Sequence, residues 1–279
     1  METASTILER PRVKVMDVGE MFDHAIWHFV DNMGLYFRIM LYSVLPLGLL
    51  WGLAEDGLGL YFWLTAGEIL PPGTAPTGDL LAVAIILVVL FFTLLYVFAM
   101  PFHAAAVIFA TSSLYLGRRP TARDCARAAL NVYPKVFVAN LLLWVVLSIG
   151  FLLCFIPGVI MMFVFFCYYT VIVLENGPIL GSLGRSAELM RGHKRKALAA
   201  YIVFMFLGWG AGFFEIIIPQ GFGGAVLGGA AMALTLTFWP VINTAIYYSA
   251  RSKVEHVDLD LRVNELDSGG EEAAHAPAL

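Results

Sequence analysis

The densest run of ionisable residues is VLENGPILGSLGRSAELMRGHKRKA, Val173 to Ala197, in which Glu175 is followed by Arg185, Arg191, Lys194 and Arg195. A guanidinium is a planar fork that donates paired hydrogen bonds to phosphate or carboxylate. These five residues are therefore the candidate contacts for an anionic lipid headgroup or a phosphorylated ligand. Their plainer reading is an ion pair that fixes a loop, with basic neighbours that mark one side of a membrane. His24 and His28 stand four residues apart with Glu20 and Asp31 nearby, a spacing that places two imidazoles on one helix face, as metal ligation needs. No HExxH motif or cysteine set completes such a site, and a solvated polar face is expected instead. His103 follows Pro101 and is expected at the inner end of a helix, beside a kink. Asn140 and Asn243 are polar residues in apolar runs, the second close after Pro240. A broken helix that carries polar groups can form a transport site, although a kink alone is common. Cys125, Cys154 and Cys167 are odd in number and lack metal-site spacing, so they read as small packing residues. No Ser-His-Asp arrangement, paired intramembrane carboxylates or metal triad is visible. No catalytic residue, metal or cofactor is assigned, and the chain is expected not to be an enzyme.

The elements that must position these residues are set by composition. The chain has 279 residues, of which 60% are hydrophobic and 14% charged. Soluble domains are about 25% charged and under half apolar, so the excess points to a polytopic membrane protein. A net charge of −4 gives no reason to expect a nucleic-acid partner. The first sixteen residues hold Glu2, Glu9, Arg10, Arg12 and Lys14 and no apolar core of a signal peptide. A bilayer core of about 30 Å takes about 20 residues of helix, and six stretches qualify: 35–54, 80–100, 136–155, 158–174, 197–218 and 224–249. Ile156–Gly158 (IPG) is expected to turn a tight hairpin between the third and fourth.

The cations fix an orientation. Arg10, Arg12, Lys14 and Arg38 accompany the N-terminal segment. Arg118, Arg119, Arg123, Arg127 and Lys135 lie between spans two and three. Arg185, Arg191, Lys194, Arg195 and Lys196 lie between four and five, and Arg251, Lys253 and Arg262 follow span six. Together they are all 17 Lys and Arg of the chain. The opposite side carries Glu55, Asp56, Glu68, Asp79 and Glu215. The positive-inside rule then places both termini in the cytoplasm. Apart from Arg38 and Glu215 near span ends, the expected spans contain no Asp, Glu, Lys, Arg or His, which argues against an ion-coupled pump.

Three amphipathic helices are expected on the cytoplasmic interface. The first carries Val18, Met21, Phe22, Ala25, Ile26, Phe29 and Val30. The second is Thr121–Asn131. The third has an apolar stripe of Leu180, Leu183, Ala187 and Met190, with Ser182, Arg185, Glu188 and Arg191 opposite. Each precedes an odd-numbered span, so the chain could be three repeats of interfacial helix plus hairpin. Gly48/Gly52, Gly208/Gly212 and Gly224/Gly228 are GxxxG pairs, and those on spans five and six are expected to pack the two helices together. Gly221–Gly229 lacks the lysine of a phosphate loop.

IPGVIMMFVFFCYYTVIVLENGPILGSLGRSAELMRGHKRKA and AIYYSARSKVEHVDLDL resemble the membrane domain of glycerophosphoryl diester phosphodiesterases and of related free-standing bacterial integral membrane proteins. The matching positions are Pro157, Gly158, Glu175, Arg185, Ser186, Leu189, Gly192, Tyr247, Tyr248, Arg251, Glu255 and Asp258. None of them is catalytic in that family, whose chemistry sits in a separate soluble barrel. The resemblance spans about residues 17–266 and implies a membrane role without the enzyme. The expectation is an all-α, polytopic transmembrane bundle of six helices in a bacterial inner membrane. It has a cytoplasmic segment 1–16, a membrane domain 17–266 and a disordered tail 267–279. The function expected first is to organise or assist anionic membrane lipids, a protein partner or a second copy of the chain through the basic cytoplasmic face. A small-solute or lipid transporter is the alternative, and an accessory to glycerophosphodiester metabolism the distant one.

Overall fold

The computed structural model describes residues 15–47, 49–50, 78–217 and 222–255. Expectations that rest on Arg10, Arg12, Lys14, Gly48, Gly52, Glu55, Asp56, Glu68, Gly221, Asp258, Arg262 and the tail lie outside the described residues. The described chain is helical, with no strand. Its elements are α1 (Val18–Asp31), α2 (Met33–Leu41), α3 (Gly78–Tyr115), α4 (Ala122–Leu153), α5 (Phe155–Val164), α6 (Tyr168–Glu175), α7 (Ile179–Leu189), α8 (Lys194–Ile217) and α9 (Phe222–Glu255). Four described segments are long and apolar enough to cross a membrane: Ile85–Tyr115, Ala122–Leu153, Phe155–Glu175 and Leu227–Glu255. The protein is therefore a membrane protein, all-helical in its regular elements over the described residues. The expected fifth span coincides with α8. The expected first span begins in α2, reaches a turn at 42–44, and leaves the described residues at 51.

Several boundaries differ from those the sequence suggests. The second span does not end at Met100; α3 continues through Pro101 to Tyr115. An apolar helix tolerates an internal proline when neighbouring helices satisfy the freed backbone, and Phe102–Tyr115 remains apolar enough to stay packed. The amphipathic segment Thr121–Asn131 is not separate from the third span. Both belong to α4, a rod of 32 residues and about 48 Å. It is started by a capping box in which the Asp124 N–H donates to the Thr121 hydroxyl (3.3 Å) and the Thr121 N–H donates to the Asp124 carboxylate (3.1 Å).

The hairpin after α4 is real, but IPG is not its turn. The reversal is made at Cys154, in extended backbone (φ −171°, ψ 148°). Ile156, Pro157 and Gly158 already lie in the first turn of α5, where the missing proline N–H has no intrahelical partner to lose. The glycines serve the close approach of the two helices instead. A Cβ on Gly150 would fall 3.1 Å from the Gly158 Cα and 2.8 Å from the Met161 sulfur. By contrast, a Cβ on Gly208 would meet open space. The contact of α8 with α9 includes aromatic rings, Trp239 against Tyr201 and Phe204, and the hydrogen bond from Lys196 Nζ to Ser249 Oγ. The expected glycine packing of these helices is thus absent at Gly208. Gly228 is buried, while the packing of Gly212 and Gly224 lies outside the described side chains.

The fourth span is not one helix. It breaks at Phe165–Cys167, between α5 and α6, in a stretch without proline or glycine. Three carbonyls around the break receive side-chain donors from other helices. Tyr201 OH donates to Met162 O (3.2 Å), Ser186 Oγ to Val164 O (3.1 Å) and Asn243 Nδ2 to Phe166 O (2.8 Å). That contact widens the buried side of α7 to include Ser182, Ser186 and Leu189. Of the expected apolar stripe, Met190 is buried and Leu183 packs on the core, while Leu180 is 71% exposed. Helix α1 behaves closer to expectation. Met21, Ala25 and Phe29 are buried against the bundle, while Ile26, Trp27 and Val30 face outward.

The two glycine environments give opposite expectations. Gly150→Ala should lower stability by about 1–3 kcal/mol, because a methyl there meets backbone that cannot yield cheaply. Gly208→Ala should be neutral or stabilising by up to about 1 kcal/mol, through helix propensity alone. Thermal unfolding of the two variants in one mild detergent measures the contrast.

Candidate functional site: an ion-pair network and a cavity beside the helix break

Two places gather polar groups. The first is at the end of α6. Asn176 adopts a left-handed conformation (φ 50°) and turns the chain from α6 towards α7. Lys135 Nζ donates to its carbonyl (2.6 Å) and its side-chain oxygen (2.8 Å), a favourable place for a cation at a helix C-terminus. Glu175 then faces Arg185, whose Nε lies 3.3 Å from both carboxylate oxygens. Arg185 Nη1 donates to Glu188 (3.0 Å) and Nη2 to Glu255. Arg251 Nε donates to Glu255 (2.6 Å) and its Nη1 to the Tyr247 hydroxyl (3.1 Å), which donates to Glu175 (3.0 Å). The ring Glu175–Arg185–Glu255–Arg251–Tyr247 closes on itself and ties α6, α7 and α9 together.

All three nitrogens of Arg185 face carboxylates. Burial disfavours its charge, but the hydrogen bond to Glu188 and the charge of Glu175 outweigh burial and raise its pKa. Three carboxylates against two guanidiniums leave this cluster without the positive excess an anion site needs. Of the five expected contacts, the structure joins Glu175 to Arg185 and leaves Arg191, Lys194 and Arg195 exposed around the turn at Gly192. Glu188 and Glu255 complete the network. Their signal in the sequence is spacing, since Arg185–Glu188 is an i,i+3 pair and Arg251–Glu255 an i,i+4 pair.

His24 and His28 are not a solvated face. Their rings pack on Tyr115, with centroids 5.2 and 4.8 Å away, and His24 Nδ1 lies 3.0 Å from the Tyr115 hydroxyl. Burial, and secondarily His24, lowers the His28 pKa to about 4. No group of three metal-type ligands occurs among the described residues.

The second place is a cavity of about 240 Å³ between α3, α4, α6, α8 and α9. Its walls include Tyr96, Trp144, Tyr169, Phe204 and Trp239, with Asn140, Asn243 and His103 among them. Both candidate asparagines are therefore brought to one site. Asn243 Oδ1 accepts from Thr170 (2.6 Å), and its Nδ2 is the donor that satisfies the helix break. Asn140 Oδ1 accepts from the Tyr169 hydroxyl, and its Nδ2 has no partner among the described residues. Pro101 and Pro240 also line the cavity. Each removes the N–H that would bond the carbonyl four residues earlier, and those residues, Val97 and Leu236, are lining residues too.

His103 corrects the expectation most sharply. It lies inside the membrane-length helix α3, not at its end, and is fully buried. Nδ1 lies 2.8 Å from Ser43 Oγ and Nε2 3.1 Å from Thr237 Oγ1. Each hydroxyl also reaches a backbone carbonyl, Ile39 (2.6 Å) and Ala233 (2.7 Å). With both hydroxyl protons on those carbonyls, both ring nitrogens would donate. A neutral imidazole requires one hydroxyl to turn towards the ring. An ionisable residue thus does occupy an apolar span.

No family model, curated protein or solved structure matches the chain.

Arg185→Ala should cost about 2 kcal/mol by leaving three carboxylates without their shared cation, whereas Arg191→Ala should change stability by less than about 0.5 kcal/mol; thermal unfolding of both variants compares them. His28 carries a pH dependence. Unfolding restores the ordinary value of 6.5 from about 4, so the unfolded chain binds the proton first. The contribution is fully present above pH 6.5 and is lost as pH falls towards 4. Melting temperature measured across that window should fall less in His28→Gln than in the parent protein.

Proposed function

We propose that this chain is a non-enzymatic, six-span protein of a bacterial cytoplasmic membrane that binds and moves a small solute or lipid through the cavity beside the helix break. The observation that carries this reading is the convergence of Asn140, Asn243, a broken span and two helix-interior prolines on one hollow. Discontinuous helices with free polar groups near mid-depth are how membrane bundles make solute sites. Pro240 lies 11 residues, about 16 Å of helix, before Arg251, so the cavity falls near the middle of a bilayer whose cytoplasmic surface the cations mark. Both termini and the amphipathic helices α1 and α7 belong on that cytoplasmic side. Glu175, Arg185, Tyr247, Arg251 and Glu255, five of the positions that resemble the membrane domain of the phosphodiesterases, meet in one network, which suits a structural rather than a chemical role.

A second reading keeps the basic face as an anionic-lipid contact. It now rests on Arg191, Lys194 and Arg195, which stay exposed, rather than on Arg185, which is filled by carboxylates. Clustered cations of this kind attract anionic lipid by about 1 kcal/mol each.

Native mass spectrometry in mild detergent separates the two. A small molecule retained by the parent protein and lost in Trp239→Ala supports the transporter reading. Retained anionic phospholipid that is lost only when Arg191, Lys194 and Arg195 are replaced by Ala supports the lipid-contact reading instead. For the topology, alkaline phosphatase fused after Gly192 should be inactive and fused after Gly57 should be active; the reverse pattern would sink the assigned orientation.

A further inference from the structure

The cavity's lining restricts what it can hold, and the restriction goes further than "a small solute or lipid". No Asp, Glu, Lys or Arg occurs among its lining residues, and both ring nitrogens of His103 are engaged by Ser43 and Thr237. A charged ligand would lose its hydration with no countercharge to replace it, so the occupant is uncharged. The volume of about 240 Å³ is below the range of drug-sized pockets, about 300–1,000 Å³. That excludes a whole phospholipid and suits a body the size of one aromatic ring. The walls are aromatic, with Trp144, Trp239, Tyr96, Tyr169 and Phe204, and such faces pack well against a flat apolar body.

The polar groups are equally selective. Asn140 is nearly buried, at 5% exposure. Its oxygen is taken by Tyr169, which leaves the Nδ2 hydrogens as donors without a partner among the described residues. Opposite in character are the carbonyls of Val97 and Leu236, which Pro101 and Pro240 deprive of their helical donors. A buried donor or acceptor left unmade costs about 1–3 kcal/mol. A hydroxyl or amide group supplies both an acceptor for Asn140 and a donor for a freed carbonyl. A plain acyl chain can serve neither. Tyr96 and Trp144 line the cavity, are 42% and 50% exposed, and sit on helices long and apolar enough to cross a membrane, which favours an opening towards the lipid phase over one towards water.

Building on the transporter reading, we propose that the cavity is a site for small, uncharged, ring-sized molecules carrying one hydroxyl or amide group, recognised by Asn140 and admitted from the bilayer between Tyr96 and Trp144. Phenols and simple aromatic alcohols have this chemistry. They partition into membranes, which delivers them to the opening.

The test is fluorine NMR on the full chain in lipid nanodiscs, with empty nanodiscs as the partition control. The probes are para-fluorophenol, para-fluorotoluene and para-fluorobenzoate. Saturable binding of the phenol is expected, tighter than the toluene by about tenfold or more, the worth of one buried hydrogen bond, with no saturable binding of the benzoate. Asn140→Leu should reduce the phenol to the affinity of the toluene. Because that change orphans the Tyr169 hydroxyl, the double variant Asn140→Leu/Tyr169→Phe removes both partners and keeps the comparison available if the single variant misfolds. Equal binding of phenol and toluene, or a phenol preference that survives in the double variant, overturns the recognition proposed here while leaving the cavity as a ligand site. Saturable binding of the benzoate also overturns it, since an uncharged ligand is required. If no probe binds the parent protein, the ligand class proposed here is overturned, while the transporter reading is decided separately by native mass spectrometry of the parent protein and Trp239→Ala.

Discussion

A backbone carbonyl inside an apolar bundle must find a donor, and the break in the fourth span leaves several that the helix itself does not supply. In water such groups would be hydrated; in hydrocarbon each costs several kcal/mol. The carbonyls of Met162, Val164 and Phe166 are met by Tyr201, Ser186 and Asn243, from α8, α7 and α9. Those three contacts decide how the surrounding helices are rotated. They explain why α7 presents Ser182 and Ser186 inward beside Leu183 and Met190, and leaves Leu180 outward. They also explain why an asparagine is tolerated in the middle of α9.

The break places the cavity and its support side by side. Tyr169, just past the break, reaches Asn140 on α4, and Thr170 reaches Asn243 on α9. The same turn of chain therefore stabilises the bundle and lines the hollow at its centre. Two turns of helix further along, α6 ends on Glu175, where the network with Arg185, Glu255, Arg251 and Tyr247 holds α6, α7 and α9 to one another. A rigid clamp at the helix ends and a discontinuous backbone at mid-depth is a combination suited to a ligand site. The clamp limits how far the helices can separate, while the broken segment has fewer intrahelical bonds to oppose local rearrangement.

His103 shows how far a local reading can mislead. Beside a proline it looks like the end of a helix, where an imidazole would meet water. The helix continues instead, because Phe102–Tyr115 is apolar enough to remain in the bundle and because hydroxyls from two other segments meet both ring nitrogens. The partners Ser43 and Thr237 lie 60 and 134 residues away in sequence, and no pattern near His103 announces them.

The sequence by itself determined the solvent and the local order. Its apolar runs exceed what a soluble core can bury, their length matches a bilayer, and the cations cluster in short stretches between them; these properties belong to short segments and survive any arrangement of helices. Spacing alone also displayed the Arg185–Glu188 and Arg251–Glu255 pairs, because i,i+3 and i,i+4 neighbours meet on any helix. Only the tertiary structure decided where the fourth span breaks, since FVFFCYY contains no residue that forbids a helix and the donors that compensate the break come from distant segments. It alone moved the hairpin turn from IPG to Cys154, buried the serines of α7, filled Arg185 with carboxylates from two other helices and brought Asn140 and Asn243 to one cavity. The physical reason is common to all of these. Hydrophobicity is a sum over a segment and can be read along the chain, whereas a hydrogen bond between segments depends on which groups face each other after the helices pack.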